Sequence, residues 1–152
     1  MSLPDSAGYV LAFDVGTRML GVAIGHPLTG TARALATVNV HHGKVDWNRI
    51  DGLVKEWQPV AFVIGLPLAL DGSEQAMTAH ARAFGEQLGK RYARTVHESD
   101  ERFTSKEAAR RFAAQRAEGS AKRKHGADID ALAAQIILES WFSSPRNEAT
   151  AP

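Results

Sequence analysis

The chain has 152 residues, 44% hydrophobic and 23% charged, with a formal net charge of +1, which fits one ordinary globular domain able to bury a core. It has no cysteine, so disulfides, thiolate metal sites and cysteine nucleophiles are excluded. Its longest apolar runs, such as Val60-Ala61-Phe62-Val63-Ile64, cannot span a bilayer, and Met1 to Ser6 lacks the basic and apolar regions of a signal peptide, so a cytoplasmic protein with no membrane partner is expected.

Residues 1–8 and 143–152 read as loose termini around one domain over 9–142. A first strand is predicted at about 9–14. It is apolar at odd and even positions alike, as a strand buried on both faces must be. The turn Gly16-Thr17 follows, then strands at about 20–25 and 32–40 and a helix at about 46–57. The strand at about 60–65 is again apolar on both faces and ends in Gly65-Leu66-Pro67, whose Gly and Pro set a turn. Asp71-Gly72-Ser73 leads into a helix at about 73–91, with Ser73 as its cap or its first amides facing a phosphate. A polar strand at about 94–99 suits a sheet edge. Thr104 and Glu107 have capping-box spacing at the start of a helix at about 104–117. The last helix, about 128–142, carries one apolar stripe, Ile129, Leu132, Ala133, Ile136 and Ile137. Asp128 falls at its N-cap, while Asp130 sits roughly 20° from Ile137 around the wheel, on the flank of the stripe. Three strands joined by short turns, then alternating helix and strand, predict an α/β protein with a mixed five-stranded sheet.

Four acids stand out. Asp14 closes a buried strand, where a carboxylate must be paired, hydrogen-bonded or bound to a cation. The turn after it can bring backbone N–H groups to a phosphate. Asp100 and Glu101 follow the polar strand, and Asp130 opens the last helix. Hard oxygen ligands on rigid elements suit Mg²⁺, and two such ions about 4 Å apart can drive phosphodiester cleavage. The carboxyl ends of strands are where α/β sheets build such sites. Each acid also has a plainer reading: Asp14 as an Asx turn, Asp100-Glu101-Arg102 as a surface ion pair, Asp130 as a helix-dipole acid.

The charge is unevenly spread. Residues 110–125 hold Arg110, Arg111, Arg116, Lys122, Arg123 and Lys124 against one acid, Glu118. Such a patch can bind a polyanion although the whole chain is nearly neutral; alone, it also reads as a solvated surface. The six histidines show no metal spacing. His41-His42 reads as surface, and His125 lies beside the basic segment, within reach of a phosphate. Trp47, Trp57 and Trp141 read as helix–sheet packing.

Together, Ala12-Phe13-Asp14-Val15-Gly16-Thr17-Arg18 with Gly21-Val22-Ala23, then Gly65-Leu66-Pro67-Leu68 with Asp71-Gly72, then Asp100-Glu101-Arg102-Phe103-Thr104 and Ile129-Asp130-Ala131-Leu132-Ala133-Ala134 resemble the YqgF/RuvX family. These are RNase H-like pre-16S rRNA nucleases, also described as Holliday-junction-resolvase-like. The resemblance runs from about 9 to 142, with Phe103 standing where the family usually has leucine. It implies an RNase H-like fold, strand order 3-2-1-4-5 with strand 2 antiparallel. It also implies an acidic, metal-binding and catalytic triad of Asp14, Asp130 and either Asp100 or Glu101, holding Mg²⁺ or Mn²⁺, two ions in the family scheme. Neighbouring strand residues face opposite ways, so the sequence leaves Asp100 and Glu101 undecided.

The expected activity is metal-dependent endonucleolytic cleavage of structured RNA, in maturation of the 5′ end of pre-16S rRNA during ribosome biogenesis. Thr17, Arg18, Arg102, Arg110, Arg111, Lys122, Arg123 and Lys124 would hold the nucleic-acid backbone. The expected partner is pre-rRNA or a ribosomal precursor particle, with branched DNA as the alternative, and the protein is expected as monomer or homodimer. Resolution of four-way DNA junctions and non-catalytic nucleic-acid binding are the competing readings. D-x-G-T also opens the ATP-binding actin-like fold, but that fold needs two such domains and this chain supplies one.

Overall fold

The structure, a computed structural model, describes residues 8–69, 71–101 and 125–143, and side chains throughout these except at 125–128. The elements in chain order are β1 (Val10–Val15), β2 (Met19–His26), β3 (Thr31–His41), β4 (Lys44–Val45), α1 (Trp47–Trp57), β5 (Ala61–Leu66), α2 (Ala76–Tyr92), β6 (Thr95–Asp100) and α3 (His125–Phe142). The expected helix at 104–117, its capping box and the basic segment through Lys124 lie outside the described residues.

The strands form one sheet in the order β4-β3-β2-β1-β5-β6. β1, β5 and β6 are mutually parallel, and β2 runs antiparallel to both β1 and β3. The five expected strands therefore lie in the expected order, with the polar β6 at an edge. Among the described residues the count of five becomes six, the sixth being β4. His42 and Gly43 have φ of 52° and 76°, the positive pair that a two-residue type I′ loop requires. That loop folds Lys44–Val45 back onto Val40 and His41, a pairing too short to leave a periodic signal.

The sheet is covered on both faces. Leu11, Phe13 and Val15 of β1 point to the face under α1 and α2, packing with Phe62, Ile64, Ile50, Leu53, Phe84 and Leu88. Val10 and Ala12 point to the other face, where Ala134, Ile137 and Leu138 of α3 pack on Ala23 and Val63. Both-face burial is why β1 and β5 read as unbroken apolar runs. The three tryptophans do pack between elements: Trp47 stacks on Phe84 with centroids 5.5 Å apart, Trp57 meets Tyr9, and Trp141 lies on His97.

Two helix starts differ from expectation. α2 begins at Ala76 with Gln75 as N-cap. Thr78 Oγ1 accepts from Gln75 N at 3.0 Å, and the Gln75 side chain accepts in return from Thr78 N. Ser73 is therefore not the cap; its N–H is taken by Asp71 Oδ1 at 2.9 Å in a turn, and the helix start is closed by this reciprocal capping rather than turned toward a phosphate. α3 is already helical at His125, the first described residue there, so Asp128 lies inside the helix instead of at the N-cap. Asp130 then follows at least five helical residues. The helix dipole acts within the first turn, so a dipole role no longer explains it.

Candidate active site

Asp14, Glu101 and the Asp130 backbone come together where the carboxyl ends of β1, β5 and β6 meet the start of β2 and the first turns of α3. On β1, Val10, Ala12 and Asp14 share the α3 face. Asp14 pairs across the sheet with Gly21, and Gly21 underlies α3 so closely that a Cβ built on it would lie 1.8 Å from the main-chain oxygen of Asp130. Only glycine permits this approach. It sets the Asp130 backbone against the residue directly beside Asp14.

On the other side of Asp14 lies β5. Phe13 pairs with Ile64, so Gly65 is level with Asp14. A Cβ on Gly65 would meet Ile137 Cδ1 at 2.5 Å and Glu101 Cγ at 3.3 Å, which places the Glu101 side chain over Gly65 on the α3 face. Ser99 Oγ donates to Glu101 Oε2 at 2.7 Å, and Glu101 N donates to Leu66 O at 2.9 Å, so the ladder continues through Glu101. A row results. Asp14 stands in the middle, a glycine lies level with it on each neighbouring strand, and an acidic residue sits over each glycine.

Asp100 is not in that row. It pairs with Leu66, as Glu98 pairs with Ile64, and Leu66 and Ile64 belong to the opposite core. Glu98 there bonds Arg82 of α2 at 3.3 Å. Strand alternation thus separates the two neighbours that the sequence left undecided: Glu101 shares the face of Asp14 and α3, and Asp100 faces α2.

Asp14, Asp100, Glu101 and Asp130 all make a hydrogen bond, ion pair or other electrostatic contact, as partly buried carboxylates must. Asp14 Oδ2 and Asp100 Oδ1 are closed off from solvent. Among the described residues no three acidic or histidine side chains already stand around one point as metal ligands would. The donor set, hard carboxylate oxygens, is of the kind Mg²⁺ or Mn²⁺ takes.

Of the expected backbone-binding residues, Thr17 and Arg18 are exposed in the turn that leaves Asp14's strand. Arg102, Arg110, Arg111, Lys122, Arg123 and Lys124 lie outside the described residues. Two features of the site's surroundings carry no clear sequence signal. Ser99 holds Glu101, and a lone Ser in an edge strand carries no signal of that. His41, His42 and Lys44 line a cleft with Thr17 and Arg18; the signal was the His-Gly pair between strands, a hairpin turn that carries the chain toward the Asp14 turn.

Residues 8–144 match the family model described as RuvX: Holliday junction resolvase. The chain belongs to the RuvX family. Proteins bearing the name "Putative pre-16S rRNA nuclease" are similar over nearly the whole chain. One from Xanthomonas euvesicatoria pv. vesicatoria is 46% identical over 149 residues, 98% of this chain and 95% of that protein. One from Xylella fastidiosa (strain M23) is 46% identical over 151 residues, 99% of this chain and 97% of that protein. The RuvX-family chain is thereby a nuclease, a phosphodiester hydrolase in class. Its fold is that of RuvC from T. thermophilus solved with a Holliday junction substrate, with a TM-score of 0.54 at 18% identity over 88% of this chain and 93% of that one. The Fowlpox virus resolvase solved with Holliday junction DNA gives a TM-score of 0.52 at 12% identity over 90% and 99%. Among the described residues no helix is long and apolar enough to cross a membrane.

Proposed function

We propose that this RuvX-family nuclease is a divalent-metal-dependent endonuclease that matures the 5′ end of the 16S rRNA precursor in the cytoplasm. The observation that carries the reading is the row of acids: Asp14 between Gly21 and Gly65, with Asp130 over one glycine and Glu101 over the other. Asp14, Glu101 and Asp130 would hold Mg²⁺ or Mn²⁺, and Asp100 would not. Such ions, two in number, would supply charge neutralisation at the scissile phosphate and an activated water. The protein's own part is to fix the carboxylates. Gly21 lets α3 descend until Asp130 flanks Asp14, and Ser99 orients Glu101 by donating to one of its oxygens. Thr17 and Arg18, with Arg102, Arg110, Arg111 and Lys122 to Lys124 of the basic segment, would bind the backbone without reading sequence.

The family description favours a second substrate, the four-way DNA junction. Cutting it symmetrically requires paired active sites, hence a homodimer, whereas the RNA reading admits a monomer.

The test offers purified protein precursor 16S RNA and a synthetic four-way junction, each with Mg²⁺ or Mn²⁺. RNA cleavage is expected, lost in Asp14→Asn and Glu101→Gln and retained in Asp100→Asn. Junction cleavage without RNA cleavage would transfer the reading to DNA. Binding of both without cleavage of either would sink the nuclease assignment. Loss in Asp100→Asn with retention in Glu101→Gln would reverse the choice of third acid.

A further inference from the structure

We propose that the cleft between the β1–β2 turn and the β3–β4 hairpin is a second backbone-binding site, in which His42, Lys44 and Arg18 grip phosphates of the nucleic acid beside the acidic row. This rests on the nuclease reading and extends it to a surface whose histidines the sequence marked only as exposed. The cleft has a volume of about 890 Å³. Its walls are tied together: Val40 N donates to Arg18 O at 2.8 Å, and Asp46 N to Asn39 O at 3.1 Å.

The lining is rich in donors. Thr17, Arg18, Asn39, His41, His42 and Lys44 all contribute, and all six are exposed. Asp46 is the acid among them, and its carboxylate already accepts from Arg49 N as the N-cap of α1. Among the described residues neither Arg18 nor Lys44 is held in an ion pair, whereas Arg82 and Arg91 are. Unpaired cations with hydroxyl, amide and imidazole donors suit a phosphodiester, which offers only acceptors. The position suits one too, because Thr17 and Arg18 continue the chain directly from Asp14.

His42 supplies an independent observation. It sits at the first position of the type I′ loop with φ of 52°, where Asn, Asp or Gly is strongly preferred. Histidine takes this left-handed conformation more readily than most side chains, and here it adds a ring donor to the cleft lining. The ring is also packed edge-on against His41, with centroids 4.3 Å apart, so the pair forms one wall of the cleft.

The experiment measures binding of a short labelled RNA spanning the 5′ boundary of 16S rRNA, in EDTA so that no cleavage intervenes. For Arg18→Gln with Lys44→Gln, the slope of log K against log salt should flatten by about 1.4, about 0.7 for each lost phosphate contact on a single strand. His42→Asn fits the turn better, so it should melt at the same or a higher temperature while binding several-fold more weakly. Wild-type affinity and slope in both variants would overturn the cleft, even if the RNA is cut normally. Wild type that binds but never cuts would remove the nuclease reading and leave the slope to decide the cleft. If only a four-way DNA junction is bound, the same variants are read on it, where the expected flattening is about 1.8. Binding of neither polymer would overturn the inference.

Discussion

The two faces of the sheet differ in how closely their helices approach the strands. Under α1 and α2 the sheet presents Phe13 and Phe62, and Phe84 comes down to meet them, with Phe13–Phe84 and Phe13–Phe62 centroids 5.3 and 6.1 Å apart. Under α3, β1 and β2 present the small residues Ala12, Gly21, Ala23 and Gly25, and the helix answers with Ala131, Ala133 and Ala134 beside Ile137 and Leu138. Large rings hold the first layer at a distance and bury much apolar area. Small residues let the second layer come close enough for a main-chain oxygen to lie on a strand. The first face makes the domain stable, and the second face sets where the acids stand.

Truncation and enlargement should separate these roles. Phe13→Ala opens a cavity in the α1/α2 core and should cost about 3–5 kcal/mol of stability. The molecules still folded should cut at nearly the wild-type rate per active site, measured as turnover against folded fraction in a urea series. Gly21→Ala runs the other way. Its Cβ would sit 1.8 Å from Asp130 O, with Asp130 C at 2.3 Å, and backbone cannot swing aside as a side chain does. Overpacking should cost about 1–3 kcal/mol, less than Phe13→Ala, yet cleavage should vanish because α3 is lifted off the row. A Gly21→Ala protein with full activity would show that the close approach has no bearing on the site.

Sequence carried the α1/α2 face well and the α3 face only partly. Alternation and continuous apolar runs located β1, β2, β3, β5 and β6 within a residue or two, because burial of both faces leaves an unbroken apolar run and burial of one face an alternating one. The phase of α3 put Asp130 beside Ile137, and Ile137 does reach over Gly65. What stayed hidden was long-range. Nothing near Glu101 announces that its side chain will lie over Gly65, and the Asp100/Glu101 choice needed the pairing of Leu66 with Asp100. The bulge in β3, where Val22 pairs with Ala36 but Ala23 with Ala34, is satisfied by Gln135 Oε1 accepting from Ala34 N at 3.0 Å. A glutamine in a helix gives no hint of a strand about a hundred residues away.

Gly65→Ala is a gentler version of the same test. The new Cβ would meet Ile137 Cδ1 at 2.5 Å and Ile137 Cγ1 at 3.1 Å, both side-chain atoms with some freedom. About 1 kcal/mol of destabilisation is expected, with a partial loss of cleavage as Glu101 Cγ is nudged. Ile137→Val deletes the offending Cδ1 and alone should cost about 0.5–1.5 kcal/mol. The double variant should cost less than the two singles together, a coupling that denaturation midpoints of all four proteins would reveal. Strict additivity would mean that α3 moves as a body, as at Gly21.

The smallest effect belongs to the α3 face and appears only with pH. His97 of β6 lies under Trp141 with ring centroids 4.8 Å apart, and burial lowers its pKa below the ordinary 6.5. The unfolded chain therefore takes up this proton more readily than the folded one. His97 costs nothing above about pH 6.5, and stability declines as pH falls from there toward the lowered folded value. His97→Phe keeps a ring against Trp141 and removes the titration, so its stability should be flatter with pH in that window. The α1/α2 face has its own acid response, well separated: Arg91 and Tyr92 hold the Asp51 carboxyl down at about 2. A carboxyl so lowered keeps its contribution above the ordinary carboxylate range and loses it as pH falls toward 2. Stability curves of wild type, His97→Phe and Asp51→Asn across pH should thus show two steps, each deleted by its own variant; one step that persisted in both would place the titrating group elsewhere.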